Sequence, residues 1–183
     1  MGETVRLFIS VDMSVADALR EAIGTVSSIK GVRASREDQI HITLSFLGDT
    51  PSERIPGLIT NLRSALSGTE AFDVSLKGIG AFPNPKRPRV VWVGIDDGKE
   101  DLALLAGRVR DAVRKSRLKQ DDKPFSPHVT IGRVQGPADV SELEKRYRDK
   151  VFSEFRVDSV RLMSSVLGPS GAKHTLVERI VLL

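Results

Sequence analysis

Two short segments of this 183-residue chain carry the same chemistry in the same order. In Ile40-His41-Ile42-Thr43-Leu44-Ser45-Phe46, strand alternation sets His41, Thr43 and Ser45 on one face and Ile42, Leu44 and Phe46 on the other. The layout returns in Pro127-His128-Val129-Thr130-Ile131-Gly132, where His128 and Thr130 share a face opposite Val129 and Ile131. The apolar face commits each segment to a core, and the polar face needs another use. If the two strands lie side by side, two histidines and two threonines line one cleft. A single His-x-Thr carries almost no information, because a lone histidine beside a strand is ordinarily structural. Two copies, drawing on two of only three histidines, point to a built site.

Strands and helices alternate around these segments in two halves. Val5 to Val11 reads as a strand ending at Asp12. The helix after it has Ser14 as its expected N-cap and repeats Val15, Ala18, Leu19, Ala22, Ile23 and Val26 at helical spacing up to Gly31. Ile40 to Leu47 is strand-like and closes at Gly48-Asp49-Thr50-Pro51. A helix over about Ser52 to Leu66 follows, then strands Phe72 to Ile79 and Arg89 to Ile95 flanking a proline-braced loop from Phe82 to Pro88. The second half repeats the order: a helix from about Lys99 to Leu118 merging into a solvated charged stretch, Lys115 to Lys123, then the strand His128 to Val134. A short polar helix from about Pro137 to Asp149 precedes two closing strands, Val151 to Leu167 and His174 to Leu183, joined through a turn at Gly168-Pro169-Ser170-Gly171. The expectation is one globular unit over residues 1–183, α+β or α/β, made of two similar lobes.

Composition narrows the chemistry. The absence of cysteine removes disulfides, thiol catalysis and cysteine-bound metal, leaving histidine, carboxylate, hydroxyl and lysine. A net charge of +4 suits a polyanionic partner, though 28 basic against 24 acidic residues is weak support by itself. No apolar run approaches the roughly 20 residues of a membrane span, and the N-terminus enters a strand without a signal-like segment. A cytoplasmic protein is therefore expected, and a monomer, since no exposed apolar stripe stands out.

The paired motifs suffice for one class of reaction. Opening a cyclic phosphodiester needs a base to activate water or a hydroxyl, an acid to protonate the departing oxygen, and donors for the nonbridging oxygens. Histidine serves both proton roles because its ordinary pKa of ~6.5 leaves either form accessible near neutrality. Thr43 and Thr130 can donate to the phosphoryl oxygens. The rival is a metal site with His41, His128 and His174 as ligands, which the lack of a carboxylate beside either motif histidine argues against. Neither metal nor cofactor is expected.

At these residues the chain resembles the 2H phosphoesterase superfamily, and within it the RNA 2′,3′-cyclic phosphodiesterases, also called 2′-5′ RNA ligases. The resemblance covers nearly the whole chain. It rests on Arg6-Leu7-Phe8-Ile9, on His41 to Gly48, on Gly78 to Asn84 with Pro88 to Gly94, and on Phe125 to Arg133. It implies a bilobal α+β fold, two lobes of antiparallel sheet with outer helices around a central cleft, and metal-free hydrolysis of a terminal 2′,3′-cyclic phosphate to a 2′-phosphate. By analogy His41 is the proton donor to O3′, His128 the proton acceptor from water, and Thr43 and Thr130 hold the phosphate. It also implies a possible joining of tRNA halves through a 2′-5′ linkage, with a 5′-hydroxyl in place of water. Relatives often carry tyrosine where this chain has His174, a smaller platform for a base at the cleft rim.

Other contacts stay open. Arg133 is a candidate phosphate clamp, but strict alternation puts it on the face of Val129 and Ile131, so a bulge at Gly132 is required to turn it. Lys86, Arg87 and Arg89 can follow an RNA backbone or form a solvated basic hairpin. Phe8, Phe82 and Phe125 can stack a base or fill core positions, and Trp92 reads as core. The helix with Arg108, Arg110, Arg114, Lys115 and Arg117 reads as an exposed face rather than a docking surface. Main-role ligation and a non-catalytic RNA-binding module remain the alternatives, and small cyclic nucleotides are a further substrate class.

Overall fold

The computed structural model describes residues 2–183. In chain order the elements are β1 (Thr4–Asp12), α1 (Asp17–Ser27), β2 (Val32–Ala34), β3 (His41–Pro51), α2 (Ile55–Leu66), β4 (Phe72–Phe82), β5 (Val90–Ile95), α3 (Lys99–Lys115), β6 (His128–Val134), α4 (Ser141–Tyr147), β7 (Val151–Val157), β8 (Ser159–Gly168) and β9 (Gly171–Val181). The strands run β7-β4-β5-β6-β3-β1-β8-β9 across one sheet, with the short β2 beside β6, and every pairing is antiparallel. The order is a palindrome in kind. From the centre outward, β6, β5, β4 and β7 on one side answer β3, β1, β8 and β9 on the other. The central strands β3 and β6 share a single register pair, Ile42↔Val129, and β2 extends the joint along β6 by three more. This is the two-lobed antiparallel arrangement expected.

Three helices cover one face of the sheet because each carries an apolar stripe. α1 buries Leu19, Ala22 and Val26, α2 buries Leu58, Leu62 and Leu66, and α3 buries Leu102, Leu105, Ala106, Val109, Ala112 and Val113. They pack on Ile42, Leu44, Val91, Val93, Val129 and Ile131, all essentially inaccessible. The apolar alternation of the two motif strands thus fixes which face is covered, and the opposite face is left concave and open. No helix among the described residues is long and apolar enough to cross a membrane.

Several boundaries differ from the sequence reading. α1 begins at Asp17 with Ala16 as an N-cap that makes no side-chain bond, so Ser14 lies outside the helix. Ser52–Arg54 is a separate 3-10 turn before α2. The stretch from Val151 to Leu167 is two strands, because the chain changes partner at Asp158: β7 pairs with β4, whereas β8 pairs with β1 in the other half. The apolar positions change phase at that break, from Phe155 and Val157 to Val160 and Leu162, a shift the sequence reading passed over. The β8–β9 hairpin also exposes Val166, Leu167, Leu176 and Val181, apolar surface the sequence reading did not single out.

Candidate active site

Both histidine strands abandon strict alternation at the same place. β3 pairs with β1 as Ile9↔Ser45 and then Ser10↔Thr43, so Leu44 is an extra residue. β6 pairs with β5 as Val91↔Gly132 and then Trp92↔Thr130, so Ile131 is extra. A bulge inverts the facing of every residue after it. In β3 it turns Ser45 inward, where its hydroxyl donates to Oε1 of Gln120 at 3.0 Å. Phe46 then emerges on the concave face, 37% exposed. This reverses the expectation for both residues. In β6, Gly132 takes the place of Ser45 and Arg133 that of Phe46. A Cβ on Gly132 would come within 2.8 Å of Cγ1 of Val26, so α1 packs closer there than a side chain permits. The bulge needed to bring Arg133 to the cleft is present.

The concave face forms a cleft of about 530 Å³. His41, Thr43, His128, Thr130 and Arg133 line it, with Phe8, Phe46 and His174. An antiparallel register centred on Ile42↔Val129 sets His41 across from Thr130 and Thr43 across from His128. Arg6, Arg33 and Arg36 complete a lining of four arginines and three histidines without one carboxylate. Such a lining attracts anions and leaves no acidic group to repel a phosphate. Arg6 lies over the Phe46 ring at 5.0 Å. Arg33 and Arg36 donate to the Ser170 carbonyl at 2.5 and 3.1 Å, and Gln39 to that of Ala172 at 2.9 Å. These bonds tie the β8–β9 turn to the segment before β3.

The two imidazoles sit in different surroundings. The His41 ring stacks on Phe8 at 5.0 Å and meets His174 edge-on at 5.6 Å, with Nε2 3.0 Å from the Thr43 hydroxyl. Burial, followed by the neighbouring His174, Arg133 and His128, lowers its pKa to about 4 against the favourable bond to the Gln39 backbone. His128 is also lowered, first by burial and then by Arg133, but the Ser126 backbone opposes this. Its Nδ1 lies 2.7 Å from the Ser126 carbonyl. A carbonyl only accepts, so Nδ1 carries the hydrogen and Nε2 is left with its lone pair. Phe82 meets this ring edge-on at 5.1 Å. His174 is lowered as well, chiefly by burial.

The remaining candidates are dispersed. Phe8 lies in the cleft beside His41, whereas Phe125 packs half-buried against the core and is absent from the cleft lining. Lys86 and Arg87 sit in a turn whose backbone N–H groups donate to Oδ1 of Asn84, away from the cleft lining. Trp92 is not core: it pairs with Thr130 and so stands on the concave face, tilted on Phe82 at 5.1 Å. Its ring fills the space above Gly80, where a Cβ would be 2.3 Å from it. Among the described residues no group of three or more His, Asp or Glu is placed to hold a metal ion. Sequence reasoning missed Arg6, Arg33, Arg36, Gln39 and Phe46 as cleft residues. Of these, only Arg6 and Phe46 stood in stretches already marked by resemblance.

The sheet thus carries a His-x-Thr on each of its two central strands, with a basic cleft beside them. The chain belongs to the 2′-5′ RNA ligase superfamily, whose profile matches residues 15–169. The RNA 2′,3′-cyclic phosphodiesterase of Archaeoglobus fulgidus is 35% identical over 91% of this chain and 94% of its own length. The enzyme of that name from Aquifex aeolicus is 37% identical over 78% of each chain. Among solved structures, the protein TT0787 of Thermus thermophilus superposes with a TM-score of 0.83 at 32% identity, covering 97% of both chains. Escherichia coli LigT, crystallised with 3′-AMP, shares the fold at TM-score 0.80 and 23% identity over 98% of this chain and 99% of its own.

Proposed function

We propose that this chain is an RNA 2′,3′-cyclic phosphodiesterase that hydrolyses a terminal 2′,3′-cyclic phosphate to a 2′-phosphate, with His41 and His128 as its acid/base pair. The observation that carries the reading is the convergence of both imidazoles and both motif threonines on one carboxylate-free cleft, from adjacent strands joined at Ile42↔Val129. His128 is the base. With Nδ1–H held by Ser126, its Nε2 takes a proton from water as the water oxygen bonds to phosphorus. The P–O3′ bond breaks on the far side, and His41 delivers a proton to the departing O3′. His41 is neutral in the empty cleft near pH 7, and the negative phosphate offsets the burial and cationic neighbours that depress it, so substrate itself loads the acid. An imidazolium of such low intrinsic pKa is a strong donor to an alkoxide. Thr43, Thr130 and Arg133 hold the nonbridging oxygens as charge moves onto them. A 5′-hydroxyl in the place of water would join two RNA ends, tRNA halves among them, by the same route.

The deciding assay is turnover of a short RNA ending in a 2′,3′-cyclic phosphate, in excess EDTA, with and without a 5′-hydroxyl RNA. Conversion to a 2′-phosphate that falls roughly 10²–10⁴-fold in both His41→Ala and His128→Ala is expected. RNA binding without turnover by the folded native protein would replace the enzyme with a binding module, and loss of activity in EDTA would overturn the metal-free route.

A further inference from the structure

A second cavity, of about 310 Å³, opens where the first turn of α2 meets the last turn of α3. Arg54, Lys115 and Arg117 line it with a single carboxylate, Glu53, and Asn61 donates to the Ser116 hydroxyl in its wall at 2.9 Å. The three cations are exposed, and none is in an ion pair among the described residues, whereas the adjacent Arg114 is paired with Asp111. Unpaired like charges gathered at one cavity repel one another, and a polyanion would relieve this. Arg117 is the one non-glycine residue with positive φ, 57°, among the described residues, and this turns the chain out of α3 beside the cavity.

The chain links the cavity to the cleft through β3, with the exposed Asp49 on the way. That strand runs from His41 and Thr43 through Phe46 to Pro51, and Arg54 follows within the next turn. At ~3.3 Å per residue the strand covers about 17 Å from Phe46 to Pro51. From the other side, the backbone N–H of Asp121 donates to the Phe46 carbonyl at 3.0 Å, so the segment leaving Arg117 returns to the cleft rim past Lys119. A stacked strand advances ~3.4 Å per phosphate, so about five nucleotides bridge the same span.

We propose that this cavity is a second phosphate site, which holds the RNA backbone several nucleotides from the terminal cyclic phosphate; the assignment rests on the RNA-end reading above. The site reads no sequence. It makes affinity depend on RNA length and salt.

The test compares the native protein with Lys115→Glu and with Arg117→Gly, the latter removing a charge where glycine adopts the backbone without strain. Substrates are a dinucleotide and a twelve-nucleotide RNA, each ending in a 2′,3′-cyclic phosphate. KM for the longer RNA is expected to rise roughly tenfold in each variant. Its salt slope should fall by about one, with the dinucleotide unaffected. Equal changes on both substrates, or an unchanged KM for the longer one, would overturn the site. Should the native protein turn over neither, the catalytic reading fails by itself. Binding of a twelve-nucleotide 3′-phosphorylated RNA by the same variants, followed by anisotropy, then decides the cavity on the same criteria.

Discussion

The half of the sheet built on β3 and the half built on β6 share a backbone device and differ in what surrounds it. Each central strand begins with a histidine, places a threonine two residues on, and bulges at the next core residue, Leu44 or Ile131. In one half the re-aimed residue is Phe46 and in the other Arg133. His41 is walled in by Phe8 and His174, whereas His128 keeps a carbonyl partner and a single edge-on ring. Duplicated backbone therefore supplies two matched positions, and unmatched neighbours divide the proton roles between them.

That contrast can be broken at His41 first. Its folded pKa lies below the ordinary value, so between pH ~6.5 and 4 the unfolded chain binds a proton that the folded chain refuses. Stability is complete above that window and lost as pH falls through it, by on the order of 3 kcal/mol from this residue, with His128 adding in the same direction. Urea unfolding at pH 7 and pH 4.5 should show a shallower pH slope in His41→Asn than in the native chain. Identical slopes would mean that His41 titrates normally. Next, Arg133→Ala should lower kcat/KM roughly 10- to 100-fold through loss of a charged hydrogen-bond donor, and Phe46→Ala much less. A larger loss at Phe46 would invert the assignment of the two bulge positions. Smallest, Gly132→Ser should destabilise by about 1–3 kcal/mol from overpacking against Val26, and adding Val26→Ala should return part of it. Ser45→Gly, the reciprocal change, should cost about 1 kcal/mol for the lost bond to Gln120.

The sequence made the elements legible because β3, β6 and the three packed helices each carry a clean apolar period. It also made the histidine pair legible, since both motifs lie ahead of the bulges. Everything beyond the bulges was misread or conditional: Ser45 and Phe46 exchanged faces, and Arg133 needed a distortion that alternation cannot express. Trp92 was taken for core because its neighbours Val91 and Val93 are core, although it stands on the concave face against Phe82. Arg33, Arg36 and Gln39 come from a short strand and a single turn, where no period exists to read, and only tertiary contact with Ser170 and Ala172 brings them to the site. Lys86 and Arg87 show the converse, being conspicuous in sequence and absent from the cleft lining.

The joint between β3 and β6 has one register pair, Ile42↔Val129, where other neighbouring strands share many. Beyond that pair β6 takes β2 as its partner, through Ala34↔Gly132, Arg33↔Arg133 and Val32↔Val134, and the residues beside the one β3–β6 tooth are His41, Thr43, His128 and Thr130. A phosphate gripped by both strands would act as further teeth, fastening β3 directly to β6 where their backbones share one pair. Ligand and seam are thus one mechanical element: occupancy should raise the melting temperature with RT ln(1 + [L]/Kd).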